Sequence, residues 1–192
     1  RNPKNFIKIG LVGKYVELQD SYKSILESLI HAGAENETEI YVESLHSEYL
    51  ESKNLKEKLE NLDGLIVAPG FGERGIEGKI MAISYARLNN VPFLGICLGM
   101  QMAVIEYARN KVGLMNANST EMVSDCKYPV IDLMESQKSI TNKGGTMRLG
   151  SWDCNLIPNT KSAIAYQKSH INERHRHRYE LSLIHISEPT RR

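Results

Sequence analysis

The chain has 192 residues with 24 basic and 23 acidic side chains, and a formal net charge of only +1 gives no strong field for nucleic acid or an anionic membrane. Its most apolar window, residues 91–105, is shorter than the roughly 20 residues that a membrane helix needs. The three cysteines are widely spaced and odd in number, which suits a reducing compartment, so we expect a cytoplasmic protein that binds neither nucleic acid nor membrane.

Strands and helices are predicted to alternate over the first part of the chain. The strands are continuously apolar, which favours an α/β fold with a mostly parallel open sheet and helices on both faces. Ligands of such a sheet bind beyond the carboxyl ends of the strands. The strands are predicted at residues 6–12, 39–45, 62–68 and 91–96, and the helices between Ser21 and Gly33 and at 47–61 (a charged surface helix), 76–89 and 100–109.

Residues 91–110, VPFLGICLGMQMAVIEYARN, have the pattern of a nucleophile elbow. They predict a short strand, a sharp turn and a helix, with Gly95 and Gly99 two places on either side of Cys97. The glycines allow the strand and helix backbones to approach closely at the turn. The helix is expected to place four apolar side chains near one face, namely Met100, Val104, Tyr107 and Ala108.

Cys97 is the candidate nucleophile. At a helix N-terminus the unpaired N–H groups and the helix dipole favour thiolate over thiol. The N–H of Leu98 is expected to stabilise an oxyanion at the attacked carbon. A free cysteine is more often a small buried hydrophobe, but the glycine spacing and the strand-to-helix context favour the nucleophile here.

The loop at residues 69–75, PGFGERG, follows the third predicted strand and therefore lies at the same edge of the sheet as Cys97. A phosphate-binding loop is one interpretation, but no Gly-Lys-Ser/Thr accompanies the glycines. We favour a second oxyanion donor, with Gly70 allowing close approach of the backbone beside the elbow.

After Lys111 the alternation ends. Residues 118–121 are polar and turn-like, and short strands at 128–134 and 146–149 predict an antiparallel or irregular appendage.

The segment ERHRHRYE, residues 173–180, would place Arg174, Arg176 and Arg178 on one face of a strand and His175, His177 and Tyr179 on the other. The two histidines could bind metal, but the arginines repel a cation and no third ligand is evident, so we expect no metal and interpret the arginine face as a carboxylate site.

Taken together, these segments resemble the C-terminal class I glutamine amidotransferase domain of the CTP synthase family. The elbow alone indicates only the amidotransferase class, whereas GGTMRLG and ERHRHRYE are specific to the CTP synthase family. The matching segments are KIGLVGKYVEL (8–18), PGFGERGIEGKI (69–80), VPFLGICLGMQMAVIEYARN (91–110), NANSTE (116–121), PVIDLM (129–134), GGTMRLG (144–150) and ERHRHRYE (173–180).

The resemblance implies a flavodoxin-like class I amidotransferase fold and a glutaminase with Cys97 as its nucleophile. Glu121 and Arg178 would hold the amino and carboxylate ends of L-glutamine, which as a zwitterion requires one anion and one cation. The glutamine and oxyanion site would be lined by Gly70, Leu98, Gly99, Met100 and Gln101. The ammonia would pass to a synthetase domain that uses ATP, UTP and Mg to make CTP, so no cofactor is expected in this domain, and the full-length parent is expected to be a homo-oligomer.

The ends of the chain depart from the family. Residues 1–5 would be a linker from a missing synthetase domain, residues 6–180 an amidotransferase domain incomplete at its C-terminus, and 181–192 a tail unlike the family. The family's His-Pro-Glu, which completes its catalytic triad, does not occur, so we expect this polypeptide to be inactive. His185 is a weak substitute for the base. The alternatives are a non-catalytic glutamine-binding or interaction module and, more distantly, a cysteine hydrolase of other specificity.

Overall fold

A computed structural model describes residues 3–138 and 147–182. The chain divides into two compact units: among the described residues, the first runs to Ile131 and includes residues 181–182, and the second lies within Asp132–Glu180. None of the helices in the described residues has the length and apolarity needed to cross a bilayer.

The first unit is built on a parallel sheet of four strands in the order β2-β1-β3-β4. The strands are β1 (Asn5–Gly13), β2 (Thr38–His46), β3 (Gly64–Val67) and β4 (Phe93–Gly95). The central strands are apolar, and every residue of β3 is buried. This confirms the predicted α/β architecture with a mostly parallel sheet.

Helices connect these strands. They are α1 (Lys23–Glu35), α2 (Leu55–Leu59), α3 (Ile76–Leu88) and α4 (Leu98–Asn110), the last following β4. Alternate residues of β1 lie on opposite faces of the sheet. Leu11 packs in a cluster that includes Leu26 of α1, whereas Gly10 faces Leu45 and Leu62.

The predicted helix at 47–61 is confirmed only near its C-terminal end. A 3-10 turn covers Ser47–Tyr49, and the helix begins only at Leu55. Asn54 explains the difference, because its side chain accepts a hydrogen bond from the Glu51 N–H (2.9 Å) and donates one to the Tyr49 carbonyl (2.8 Å). Such local bonds from asparagine to the backbone stabilise a turn in place of a helix.

Helix α4 buries a face that coincides only partly with the predicted one, since Ala108 is the buried member of the four predicted side chains. Met102, Ile105 and Glu106 are buried, whereas Tyr107 is 54% exposed. The carboxylate of Glu106 is satisfied by Arg87 of α3, which donates from Nε (3.0 Å) and from Nη2 (2.7 Å). The two helices are therefore joined by a buried ion pair as well as by apolar contacts.

The remainder of the first unit contains β5 (Ala117–Ser119) and β6 (Tyr128–Asp132), which pair in parallel, where an antiparallel or irregular arrangement was predicted. A third short strand, β9 (Glu180–Leu181), completes this sheet in the order β5-β6-β9. The turn-like segment predicted at 118–121 therefore begins as a strand, in which Ala117 and Ser119 are buried.

The second unit contains an antiparallel pair of strands. It is formed by β7 (Arg148–Asn155) and β8 (His170–His177), with the short helices α5 (Glu135–Lys138) and α6 (Lys161–Tyr166). Arg174 and Arg176 are exposed on β8, but the strand ends at His177, so Arg178 does not continue their face as predicted. Part of the GGTMRLG segment, at 144–146, lies outside the described residues.

Candidate active site

The turn that carries Cys97 has the geometry of a nucleophile elbow. Cys97 is the N-cap of α4 and has φ 52° and ψ −108°, a backbone conformation that side-chain-bearing residues rarely adopt. A Cβ on Gly95 would lie 2.7 Å from the backbone of Gly99, and a Cβ on Gly99 would lie 2.0 Å from the Val67 carbonyl oxygen. Both glycines are therefore required for β3, β4 and α4 to approach as closely as they do.

Backbone hydrogen bonds hold the strained turn in place. The Ile96 N–H donates to the Val67 carbonyl (3.0 Å), and the Gly99 N–H donates to the Ile96 carbonyl (2.9 Å). The Gln101 N–H donates to the Cys97 carbonyl (3.1 Å). Strain of this kind, fixed by the surrounding structure, occurs preferentially at functional sites.

Leu98 is the first residue of α4, so its N–H is among those that have no acceptor within the helix. Its side chain is buried and lies 3.4 Å from the position that a Cβ on Gly70 would occupy. The elbow and the loop after β3 therefore meet, as the sequence predicts. Since 3.4 Å is an ordinary contact distance, none of the described neighbours requires glycine at position 70.

The loop after β3 is fastened on two sides. The Nζ of Lys14, which is buried at the end of β1, donates to the Phe71 carbonyl (2.6 Å). The Gly72 N–H donates to Oε1 of Glu121 (3.3 Å), so this carboxylate, which follows β5, is brought to the loop. The pKa of Lys14 is lowered, chiefly by burial and then by Arg74, with Glu121 among the groups that act in the opposite direction.

A second buried lysine lies beneath the same loop. Lys79 of α3 is fully buried, and its Nζ donates to the Ala68 carbonyl (2.8 Å). The pKa of Lys79 is lowered to about 8, chiefly by burial and then by the Lys14 ammonium, while Cys97 acts in the opposite direction. Sequence reasoning missed this residue. The available signal was its position, three residues after Ile76 and four before Ile83, on the apolar face of the helix.

The residues predicted to form the site fall into two groups. The first unit brings Cys97, Gly70, Leu98 and Glu121 to the carboxyl ends of its strands, together with Gly99, Met100 and Gln101 in the first turn of α4. Within that turn, the N–H groups of Gly99 and Gln101 are bonded to the chain itself, and the Gln101 side chain is buried.

Arg178 belongs to the second unit, directly after β8. Its carbonyl accepts a hydrogen bond from Nε2 of Gln137 (3.0 Å), and the residue is half-buried. Its assignment to the substrate carboxylate stays a prediction, as do the substrate contacts of the other site residues. His185, the alternative base, lies outside the described residues.

The two histidines of the ERHRHRYE segment have a carboxylate beside them that the sequence did not reveal. Ligand atoms of His175, His177 and Glu180 lie within 4.8 Å of one another. The carboxylate of Glu180 also accepts a hydrogen bond from Arg148 (2.9 Å) and lies 3.1 Å from Nδ1 of His177. The pKa of His175 is lowered, first by burial and then by the positive charge of Arg148. An arginine paired with the carboxylate competes with a cation, so this arrangement favours an ion-pair network over a metal centre.

The sequence of this chain is similar to those of known proteins. The profile of the family described as glutamine amidotransferase class-I matches residues 17–190. A CTP synthase of Christiangramia forsetii is 64% identical over 180 residues, which are 94% of this chain and 33% of the relative. A CTP synthase of Flavobacterium psychrophilum is 64% identical over 182 residues, which are 95% of this chain and 34% of the relative. The chain thus spans about a third of the length of these curated relatives.

A solved structure is similar as well. It is described as the glutaminase domain of Trypanosoma brucei CTPS with bound acivicin, and it superposes with a TM-score of 0.86 at 36% sequence identity. The match covers 94% of this chain and 70% of that chain.

Proposed function

The chain belongs to the class I glutamine amidotransferase family, as a glutaminase domain of the CTP synthase type, and from this we propose that Cys97 is the nucleophile that hydrolyses L-glutamine to glutamate and ammonia. The observation that carries the proposal is the strained backbone of Cys97 at the N-terminus of α4. A cysteine that served only as a small buried hydrophobe would not need such a conformation.

The proposed reaction begins when the Cys97 thiolate attacks the carboxamide carbon of glutamine. The negative charge moves to the carbonyl oxygen, where the N–H groups of Gly70 and Leu98 stabilise it. The C–N bond then breaks, ammonia leaves with a proton from a general acid, and a thioester on Cys97 remains. An activated water hydrolyses the thioester to glutamate and restores the thiolate.

The substrate is held at its zwitterionic end. Glu121, which is fastened to the loop through Gly72, binds the α-ammonium, and Arg178 is assigned to the α-carboxylate. Gly99, Met100 and Gln101 complete the wall of the site from the first turn of α4.

The whole protein makes CTP, in this proposal. Ammonia from the glutaminase passes to a synthetase domain in which ATP and Mg activate UTP for amination, while the glutaminase domain itself uses no cofactor. The parent is a homo-oligomer of the cytoplasm that binds neither nucleic acid nor membrane. The support is the similarity to CTP synthases over 94% of this chain.

A second candidate function is a glutamine-binding module without catalysis. It is favoured by one observation, namely that no His-Pro-Glu occurs in the 192 residues to supply a base and the group that orients it. Both candidates require glutamine to bind beside Cys97.

Thiol labelling tests this shared requirement on the chain itself. Cys97, Cys126 and Cys154 are all half-buried, so exposure alone predicts similar rates. We expect limiting iodoacetamide to label Cys97 first, as mapped by mass spectrometry, because only Cys97 lies at the N-terminus of a long helix. L-glutamine and acivicin should slow this labelling, whereas D-glutamine should not. Faster labelling of Cys126 or Cys154, or equal protection by D-glutamine, would contradict the proposal.

A chimera tests the chemistry. Residues 3–180 of this chain replace the matching segment of the Christiangramia forsetii CTP synthase, so that the remainder of the enzyme is supplied by the relative. We expect Cys97→Ala and Arg178→Ala to abolish or weaken CTP synthesis from glutamine and to preserve synthesis from added ammonia. Equal loss with both nitrogen sources would make the affected residue structural.

A further inference from the structure

We propose that Lys79 is a positioning residue of the Cys97 site, whose buried ammonium holds Cys97 as a thiolate before glutamine binds. This inference rests on the proposed function and adds to it the group that prepares the nucleophile. Lys79 acts through Cys97 and through the loop above it, and it does not contact the substrate.

The position of the amine supports this role. Helix α3 carries the fully buried side chain beneath the loop after β3, where Nζ donates to the Ala68 carbonyl at 2.8 Å. A Cβ on Gly70 would lie 3.5 Å from this Nζ and 3.4 Å from Cδ2 of Leu98. The ammonium therefore lies against the loop at Gly70, and the side chain of Leu98, the residue that follows Cys97, approaches the same point.

The charges around Lys79 point to Cys97 as its counter-charge. Burial disfavours the ammonium, and the charged group approaching from the end of β1 is another cation, Lys14. The pKa of Lys14 is in turn shifted by three charged groups, Arg74, Glu48 and Glu121. Among the groups that shift the pKa of Lys79, Cys97 is the one that can become an anion. With a pKa of about 8, Lys79 is still mainly protonated at pH 7 and can serve as the cation of such a pair.

The sequence of α3 makes the choice of lysine informative. The neighbouring positions on its buried face are Ile76, Ile80 and Ile83, so an unbranched apolar residue such as methionine would suit the core. A cation is instead buried where the helix passes beneath the loop after β3. A buried charge that disfavours the core is expected at a site of chemistry when the group has a function.

The pH dependence of Cys97 alkylation tests the inference without requiring turnover. Lys79→Met removes the charge with a side chain of similar length. We expect the midpoint of the iodoacetamide rate profile to move to higher pH, so that labelling of Cys97 at pH 6 slows about tenfold, as for a change of one pKa unit. The rate at high pH, where the thiolate forms regardless, should be unchanged. Lys79→Arg should retain much of the rate at pH 6.

Lys111→Met is the matched control. It removes the same charge from an exposed side chain at the C-terminal end of α4, whereas Cys97 is at the N-terminal end of that helix. We therefore expect its rate profile to stay within about twofold of that of the unmodified chain. Lys79→Gln, which keeps a donor for Ala68, repeats the test if Lys79→Met fails to fold.

The outcomes separate the two proposals. If Cys97 remains the fastest thiol and its profile is the same in the neutral Lys79 variants, the role of Lys79 is overturned and the glutaminase proposal stands. If Cys97 in the unmodified chain is no faster than Cys126 or Cys154, the proposed function fails first.

Discussion

Gly70 and Gly99 border the same site for different physical reasons. A Cβ on Gly99 would overlap the Val67 carbonyl, so the fold itself requires glycine there. A Cβ on Gly70 would meet Leu98 and Lys79 only at ordinary contact distances. The absence of a side chain at position 70 therefore serves the space in front of the loop, where glutamine is proposed to bind.

Alanine substitutions should separate these two roles. We expect Gly99→Ala to lower the free energy of unfolding by about 2–4 kcal/mol, because β3 and α4 must move apart. Gly70→Ala should change it by less than about 0.5 kcal/mol and yet weaken the protection of Cys97 by L-glutamine. Urea denaturation and the labelling assay measure the two effects. Unweakened protection in a folded Gly70→Ala chain would show that the loop is not part of the site.

Lys79 should leave a signature in the pH dependence of stability. Its pKa is lowered from 10.5 in the unfolded chain to about 8 in the fold, so between these pH values the unfolded state binds the additional proton. Stability therefore rises with pH across this window, by up to about 1.4 kcal/mol per pH unit. We expect denaturation curves at pH 8, 9 and 10 to show a steeper rise for the unmodified chain than for Lys79→Met. Parallel curves would mean that Lys79 is not perturbed.

Among the helices, the packing of α3 against α4 is stabilised by the ion pair of Arg87 and Glu106. Burial raises the pKa of Glu106, but the hydrogen bonds from Arg87 and Asn110 outweigh it and the net pKa is lowered. A lowered carboxyl pKa adds stability above the unfolded pKa, and this contribution is lost as the pH falls through the folded pKa. The pair therefore stabilises the packing of the two helices at neutral pH and weakens in acid.

Removing one partner should be worse than removing both. Arg87→Leu leaves a carboxylate that is 1% exposed without its cation, and we expect a loss of about 3–5 kcal/mol. The double change Arg87→Leu with Glu106→Leu should recover most of this, because a buried ion pair can be replaced by apolar side chains at little cost. Thermal and urea unfolding at neutral pH compare the three chains. A double variant as unstable as the single one would contradict this account.

The elements that the sequence predicted well are those with one dominant signal. Strand β3 is an uninterrupted, fully buried apolar run, and the elbow has glycines at fixed spacing around Cys97, so local pattern and tertiary context agree. The errors arise where a side chain finds a partner that pattern does not reveal. Asn54 bonds to the backbone and prevents a long helix, and Glu106 is buried because Arg87 reaches it from another helix. Lys79 was missed for the same reason, since its acceptor lies 11 residues away on a loop.

At the scale of the whole chain, no His-Pro-Glu occurs in the 192 residues to supply the base that the proposed chemistry needs. The thiolate can attack glutamine unaided, but the departing ammonia needs a proton and the thioester needs an activated water. General acid–base help is worth about 10²- to 10⁴-fold, so we expect no appreciable glutaminase activity from residues 1–192. The control is the same chain with residues 181–192 replaced by the segment that follows the position of residue 180 in the Christiangramia forsetii relative. Robust turnover by the unmodified chain would contradict this expectation and would direct attention to His185.

The backbone at Cys97 has a consequence for how this chain would change over generations. A φ of 52° with ψ −108° costs an ordinary residue about 1–3 kcal/mol, whereas glycine adopts it with little strain. Cys97→Gly should therefore raise the urea midpoint while removing the nucleophile. In a lineage that no longer used the chemistry, glycine could replace cysteine at this position without loss of the fold. A population of closely related chains that retains cysteine at position 97 is consequently one in which selection still acts on the thiol.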